Sequence, residues 1–100
     1  MAEGLGLPGS KSWLNITAAT LIDDNTATSY TPRRIARVNV IVAGTSNGTV
    51  NDAISVAGVL QTNEVFVIPN TVGSYLVDFP MLSGIVITPG AGQTVAVSYD

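Results

Sequence analysis

From Val65 onward, short runs rich in β-branched apolar residues alternate with polar turn segments of Pro, Gly and Asn. The runs are Val65-Phe66-Val67-Ile68, Tyr75-Leu76-Val77-Asp78-Phe79, Gly84-Ile85-Val86-Ile87-Thr88 and Thr94-Val95-Ala96-Val97-Ser98-Tyr99. Between them stand Pro69-Asn70-Thr71-Val72-Gly73 and Pro89-Gly90-Ala91-Gly92. Short runs rich in β-branched residues, bounded by turn residues at regular spacing, predict strands of an all-β sandwich or barrel. In the last run Val95, Val97 and Tyr99 share one face and Thr94, Ala96 and Ser98 the other, which places it inside a sandwich or at a subunit contact.

The same reading extends upstream. Leu14, Ile16, Ala18, Thr20 and Ile22 alternate with Trp13, Asn15, Thr17, Ala19 and Leu21, predicting one strand over residues 12–22 with Trp13 on the less apolar face. Asp23-Asp24-Asn25-Thr26 is a turn by composition, and residues 27–32 lead into a second strand. There Ala36, Val38, Val40 and Val42 point one way, and Ile35, Arg37, Asn39 and Ile41 the other. Residues 43–49 predict a hairpin, with Asn47-Gly48 supplying positive φ angles and Val50 opening the return strand. Residues 52–61 read as loop or strand with one helical turn: Asp52 suits a helix cap, but Gly58 and the β-branched Ile54, Val56 and Val59 oppose a helix. Seven or eight strands in one domain over residues 12–100 fit a single antiparallel sandwich of Greek-key or jelly-roll type. Residues 1–11 form an arm whose Leu5 and Leu7 alternate with glycines, so it is either a frayed end or a strand added to a neighbour.

Composition changes the functional picture. Only 11% of the 100 residues are charged, against roughly 25% in an average soluble protein, while 46% are hydrophobic. Every apolar run is broken far short of the roughly 18 residues of a membrane-spanning helix, so no membrane association is expected. The apolar excess then implies a surface of small and neutral side chains that other subunits cover. The formal net charge of −3 argues against nucleic acid, which requires clustered Lys and Arg. Arg33, Arg34 and Arg37 are neighbours in sequence, but on a strand Arg33 and Arg37 share a face and Arg34 lies on the other. The amino terminus lacks the basic region and apolar core of a signal peptide, which implies assembly in a cytoplasm.

The chain has no histidine and no cysteine, so the usual general bases, thiol nucleophiles and transition-metal ligands are missing. Asp23, Asp24, Asp52, Glu64 and Asp78 are the carboxylates available for glycosidase-like chemistry, but they sit in different segments with no flanking motif. Asp23-Asp24-Asn25 lacks the spaced ligands of a calcium loop and reads better as an Asx turn. Gly90 and Gly92 are followed by no lysine and no helix start, so they read as a hairpin and not a phosphate loop. No enzyme activity, metal or cofactor is expected. Trp13, Tyr30, Tyr75 and Tyr99 could stack on sugars, although aromatic residues in strands serve more often as core or interface anchors.

From Pro32 on, the order of segments is distinctive: Pro32-Arg33-Arg34-Ile35-Ala36-Arg37-Val38-Asn39-Val40, Ala43-Gly44, Gly48-Thr49-Val50-Asn51-Asp52, Asn63-Glu64-Val65-Phe66-Val67-Ile68-Pro69-Asn70-Thr71-Val72-Gly73, Gly84-Ile85, Pro89-Gly90-Ala91-Gly92-Gln93 and Val97-Ser98-Tyr99. This order resembles small virion proteins of tailed bacteriophages over about two thirds of the chain. The resemblance implies a non-enzymatic structural protein of the phage head, a capsid decoration or cement subunit or a short head fibre. It further implies an all-β fold, a homotrimer on the capsid surface and the major capsid protein as partner. Residues 12–30 do not match the pattern. A carbohydrate- or receptor-binding module of a head or tail fibre is the alternative. Candidate capsid or subunit contacts are Leu5, Leu7, Trp13, Leu14, Ile16, Arg33 and Arg37.

Overall fold

A computed structural model of the chain describes residues 11–22 and 34–100. Within them lie eight strands: β1 (Lys11–Ile16), β2 (Thr20–Ile22), β3 (Arg34–Val42), β4 (Gly48–Asn51), β5 (Glu64–Ile68), β6 (Gly73–Pro80), β7 (Ile85–Thr88) and β8 (Thr94–Tyr99). They form two antiparallel four-stranded sheets, ordered β1-β8-β3-β6 and β2-β7-β4-β5. Every step along the chain changes sheet except β4 to β5. Two four-stranded sheets filled by such crossings make a jelly roll, so the all-β sandwich expected from the alternation is the fold.

The core lies between the sheets. Ile35, Val38, Val40, Val95, Val97 and Tyr99 from the first sheet meet Ile22, Val50, Ile68, Ile85 and Ile87 from the second, all buried. Fully burying a Val or Ile side chain is worth roughly 1.5–3 kcal/mol, and these interdigitated rows are the main force holding the layers together. The inward face of β8 is the one its alternation marked.

Three local readings of the sequence are corrected by the structure. Residues 12–22 are not one strand: β1 and β2 belong to different sheets, with the chain turning between them at residues 17–19. Trp13 pairs with Val97 and Ile16 with Val95, so Leu14 and Asn15 together oppose one residue of β8. Asn15 takes φ 57° there. This bulge resets the alternation, and Trp13 and Ile16, three apart, both turn to the core.

A second irregularity falls between Ile35 and Arg37. It turns Ile35 inward with Val38, away from the face it was expected to share with Arg37. A third, between Val40 and Val42, leaves Val42 exposed.

The turns at residues 43–47 and 89–93 are not hairpins. Each carries the chain from one sheet to the other, and neither Asn47 nor Gly48 has positive φ. Gly48 is required for another reason: a Cβ there would stand 2.5 Å from Thr88 O and 2.8 Å from Gln93 Oε1. Residues 52–63 hold two single 3-10 turns, Val56–Gly58 and Gln61–Asn63, as the weak helical signal suggested. Asp52 caps neither of them.

Candidate interaction surface

The strand register places side chains on the outer face of the β1-β8-β3-β6 sheet row by row. Ser12 lies opposite Ser98, Ser98 opposite Arg37, and Arg37 opposite Leu76. In the next row Ala96 lies opposite Asn39 and Asn39 opposite Ser74. The middle of the face is therefore built of small, neutral side chains. Leu14 on β1 and Leu76 on β6, the two edge strands, are 67% and 64% exposed, and Ile41 at the end of β3 is exposed as well.

Arg37 is the charge in the middle of this face. Its Nη1 donates a long hydrogen bond to Ser74 Oγ, 3.4 Å, and it makes no ion pair among the described residues. Beside it the Asn39 amide oxygen is shielded from solvent and lacks a hydrogen-bond partner. A weakly charged sheet face with exposed leucines on both edge strands is surface that favours contact with another protein.

Of the contact residues expected from sequence, Leu14 and Arg37 are brought together on this face. Ile16 is buried in the core and Trp13 packs against it, so both support the sheet from within. Leu5, Leu7 and Arg33, residues 1–10 of the arm, the Asp23-Asp24-Asn25 turn and Tyr30 lie outside the described residues, whereas Lys11, expected as the last residue of the arm, opens β1. Leu76 and Ile41 were not singled out from sequence, because alternation alone does not say which face of a strand looks outward.

The two ends of the sandwich differ. At one end the crossings at residues 43–47, 69–72 and 89–93 are laced together: Asn70 Oδ1 accepts from Gly44 N (2.7 Å), Ala91 O from Thr45 N (2.8 Å), and Ser46 Oγ from Ala91 N (3.0 Å). Buried Gln93 donates from Nε2 to Pro69 O and accepts at Oε1 from Gly90 N, both at 3.0 Å.

At the other end, residues 52–63 are tied by Asp52 N to Asn63 O (2.9 Å) and by Asn51 Nδ2 to Leu60 O (2.9 Å) and Asn63 Oδ1 (2.8 Å). The Asp52 carboxylate accepts from the backbone N–H groups of Leu82 (2.9 Å), Ser83 (2.7 Å) and Gly84 (3.2 Å). Desolvation pushes its pKa up, but these three donors outweigh it and hold the group below its ordinary value. Ile54, Leu60 and Leu82 are exposed here, Leu82 to 94%.

Two of the carboxylates singled out from sequence, Asp52 and Asp78, have structural partners. Asp52 is saturated by backbone donors, and Asp78 accepts from Arg34 Nη1 at 2.9 Å in an exposed ion pair. Among the described residues no group of three or more acidic side chains is placed to hold a metal ion, and no helix is long and apolar enough to cross a membrane. The Tyr75 hydroxyl donates to Thr71 O (2.7 Å), and the Tyr75 and Trp13 rings, both partly buried, pack against the core. No protein-family model matches the chain, and no curated protein or solved structure is significantly similar to it.

Proposed function

We propose that this chain is a structural subunit of a tailed-phage head, a decoration protein that attaches to the major capsid protein and associates with itself as a trimer on the capsid surface. The observation that carries the assembly part is the outer face of the β1-β8-β3-β6 sheet, where Leu14, Leu76 and Ile41 stand exposed around small neutral side chains. Burying the leucines and the small neutral side chains gains apolar area at little desolvation cost, and the partner must supply an acceptor for Arg37. The phage part rests on the order of segments from Pro32 to Tyr99. Jelly rolls occur among viral capsid domains and also among lectins, so the fold is compatible with the reading without selecting it.

The mechanism is area and complementarity. A subunit that bridges neighbouring capsid proteins adds buried surface across their seams, and an interface of ordinary size needs roughly 800 Å² from each partner. The test is binding of purified protein to shells assembled without it, measured by co-sedimentation. Leu14→Asp and Leu76→Asp each lower the affinity at least tenfold on this reading. Undiminished binding by both variants removes the sheet face from the contact. Binding to host glycans with no capsid present replaces this reading by the receptor-binding one.

A further inference from the structure

Among the described residues, most charged side chains already have partners or are shielded. Arg34 pairs with Asp78, the Asp52 carboxylate holds three backbone N–H groups, and Asp100 Oδ1 is closed off from solvent. Arg37 and Glu64 remain. Both are exposed. Arg37 has only its long contact to Ser74 Oγ, and the Glu64 carboxylate makes no hydrogen bond or ion pair among the described residues. A guanidinium offers five N–H donors in a plane that meets a carboxylate two at a time, so most of the donors of Arg37 lack an acceptor within the subunit.

The two stand on different surfaces, each with an exposed apolar neighbour. Arg37 lies on β3, in register with Leu76 on β6, an edge strand of the first sheet. Glu64 opens β5, an edge strand of the second sheet. After it, Val65 and Phe66 pack against the core, whereas Val67 is exposed. Thr49 and Thr88 follow Val67 in register across that sheet and add no charge. A cation beside an exposed leucine on one surface therefore complements a carboxylate near an exposed valine on the other.

We propose that the β3-β6 half of the sheet face in one copy seats on the β5 edge of a second copy, with the Arg37 guanidinium meeting the Glu64 carboxylate and Leu76 lying against Val67. Both halves of the complementary pair are on this chain, so a second copy is the occupant. Packing the sheet face on itself would instead set Arg37 against Arg37 near the two-fold axis, and like charges brought together on burial oppose association. The Arg37–Glu64 contact joins two different surfaces, the heterologous arrangement that forms a ring when its rotation closes. The inference rests on the self-association part of the proposed function. It assigns that part to Arg37, Leu76, Glu64 and Val67 and leaves Leu14 on β1 for the shell, so that Leu76→Asp weakens shell binding through lost multivalency.

The experiment is light scattering after size exclusion on the full chain, comparing the unaltered protein, Arg37→Glu, Glu64→Arg and the chain carrying both substitutions, with circular dichroism as the check on folding. The expected result is a closed oligomer for the unaltered chain and at least tenfold weaker association in each single variant with an unchanged spectrum. Combining the two substitutions exchanges the charges and should restore association to within about threefold of the parent, because opposite charges again face each other across the contact. Where a charge reversal disturbs the spectrum, Arg37→Gln and Glu64→Gln serve the same comparison, each expected to associate more weakly than the parent. An oligomer that persists unweakened in either single variant, or a doubly substituted chain no better than the singles, overturns the Arg37–Glu64 contact while self-association stands. A single chain at every concentration of the unaltered protein overturns both.

Discussion

Gln93 and Gly48 occupy space that only one of them can fill: a Cβ on Gly48 would stand 2.8 Å from Gln93 Oε1, the atom that accepts from Gly90 N. Gly48→Ala must therefore displace both the Gln93 amide and the β7 backbone at Thr88, whose carbonyl oxygen would lie 2.5 Å from the new Cβ. We expect a loss of about 1–3 kcal/mol, the usual cost of forcing an extra group into a packed interior. Urea unfolding of the variant checks this, and a midpoint equal to that of the parent would mean that the crossing relaxes freely.

Gln93→Ala removes both hydrogen bonds of a fully buried side chain and leaves Pro69 O and Gly90 N without their partner. The expected cost is about 2–4 kcal/mol, combining lost packing with unpaired buried groups. Amide exchange at Gly90 should rise more than at β3 residues. Equal acceleration everywhere would show that only global stability had fallen.

Asp52 makes stability depend on acid. Its folded pKa is depressed below the ordinary 3.8, so its contribution is complete above that value and is lost as pH falls through the folded pKa. Asp52→Asn should cost about 1–2 kcal/mol at neutral pH, as for loss of a capping carboxylate. The gap between variant and parent should narrow below pH 4. A gap that stays constant down to pH 2 would contradict the role given to the carboxylate.

At Asn15 the left-handed backbone decides which substitutions are accepted. Asn15→Gly should be neutral within about 0.5 kcal/mol, whereas Asn15→Val should lose about 1–3 kcal/mol because a β-branched residue is strained at φ 57°. Thermal melts of the two variants separate these outcomes. Equal melting temperatures would mean that the bulge migrates.

The ion pair between Arg34 and Asp78 lies in the open, with side chains 38% and 55% exposed. A double-mutant cycle with Arg34→Ala and Asp78→Ala should return a coupling below about 1 kcal/mol that shrinks in salt. A coupling well above that would place the pair in a more enclosed setting than its exposure indicates.

The strands and the fold class were legible in the sequence because alternation is a local signal. Val95, Val97 and Tyr99 announce their inward face within six residues. Which strand follows which into which sheet is not local. Residues 43–49 and 89–93 carry the turn chemistry of hairpins, and an arch between sheets uses the same Gly and Asn residues, so the chain offered nothing to separate the two. The bulges at Asn15 and after Ile35 were equally hidden, since each moves one residue across the sheet without leaving a break in composition.

The candidate surface was only half legible. Leu14 and Arg37 could be named from their strands. Leu76 needed the register against Arg37, and Leu82 carries no signal of its own in the sequence, because the Asp52 carboxylate that holds its N–H stands thirty positions earlier.

The position of β8 bears on how the protein is made. It follows every other strand in sequence, yet it sits inside its sheet, flanked by β1 and β3, and Lys11 pairs with Tyr99. Before β8 leaves the ribosome, β1 has no neighbour in the sheet among the described strands, and β3 has only β6. The nascent chain must therefore remain open, with its valines and isoleucines uncovered, until synthesis has passed Tyr99. Closure then joins segments from opposite ends of the domain, the kind of search that places β-sandwiches among the slow folders, in milliseconds to seconds. During that interval the uncovered core residues are accompanied by an unfinished sheet edge, the condition in which newly made chains are prone to aggregate.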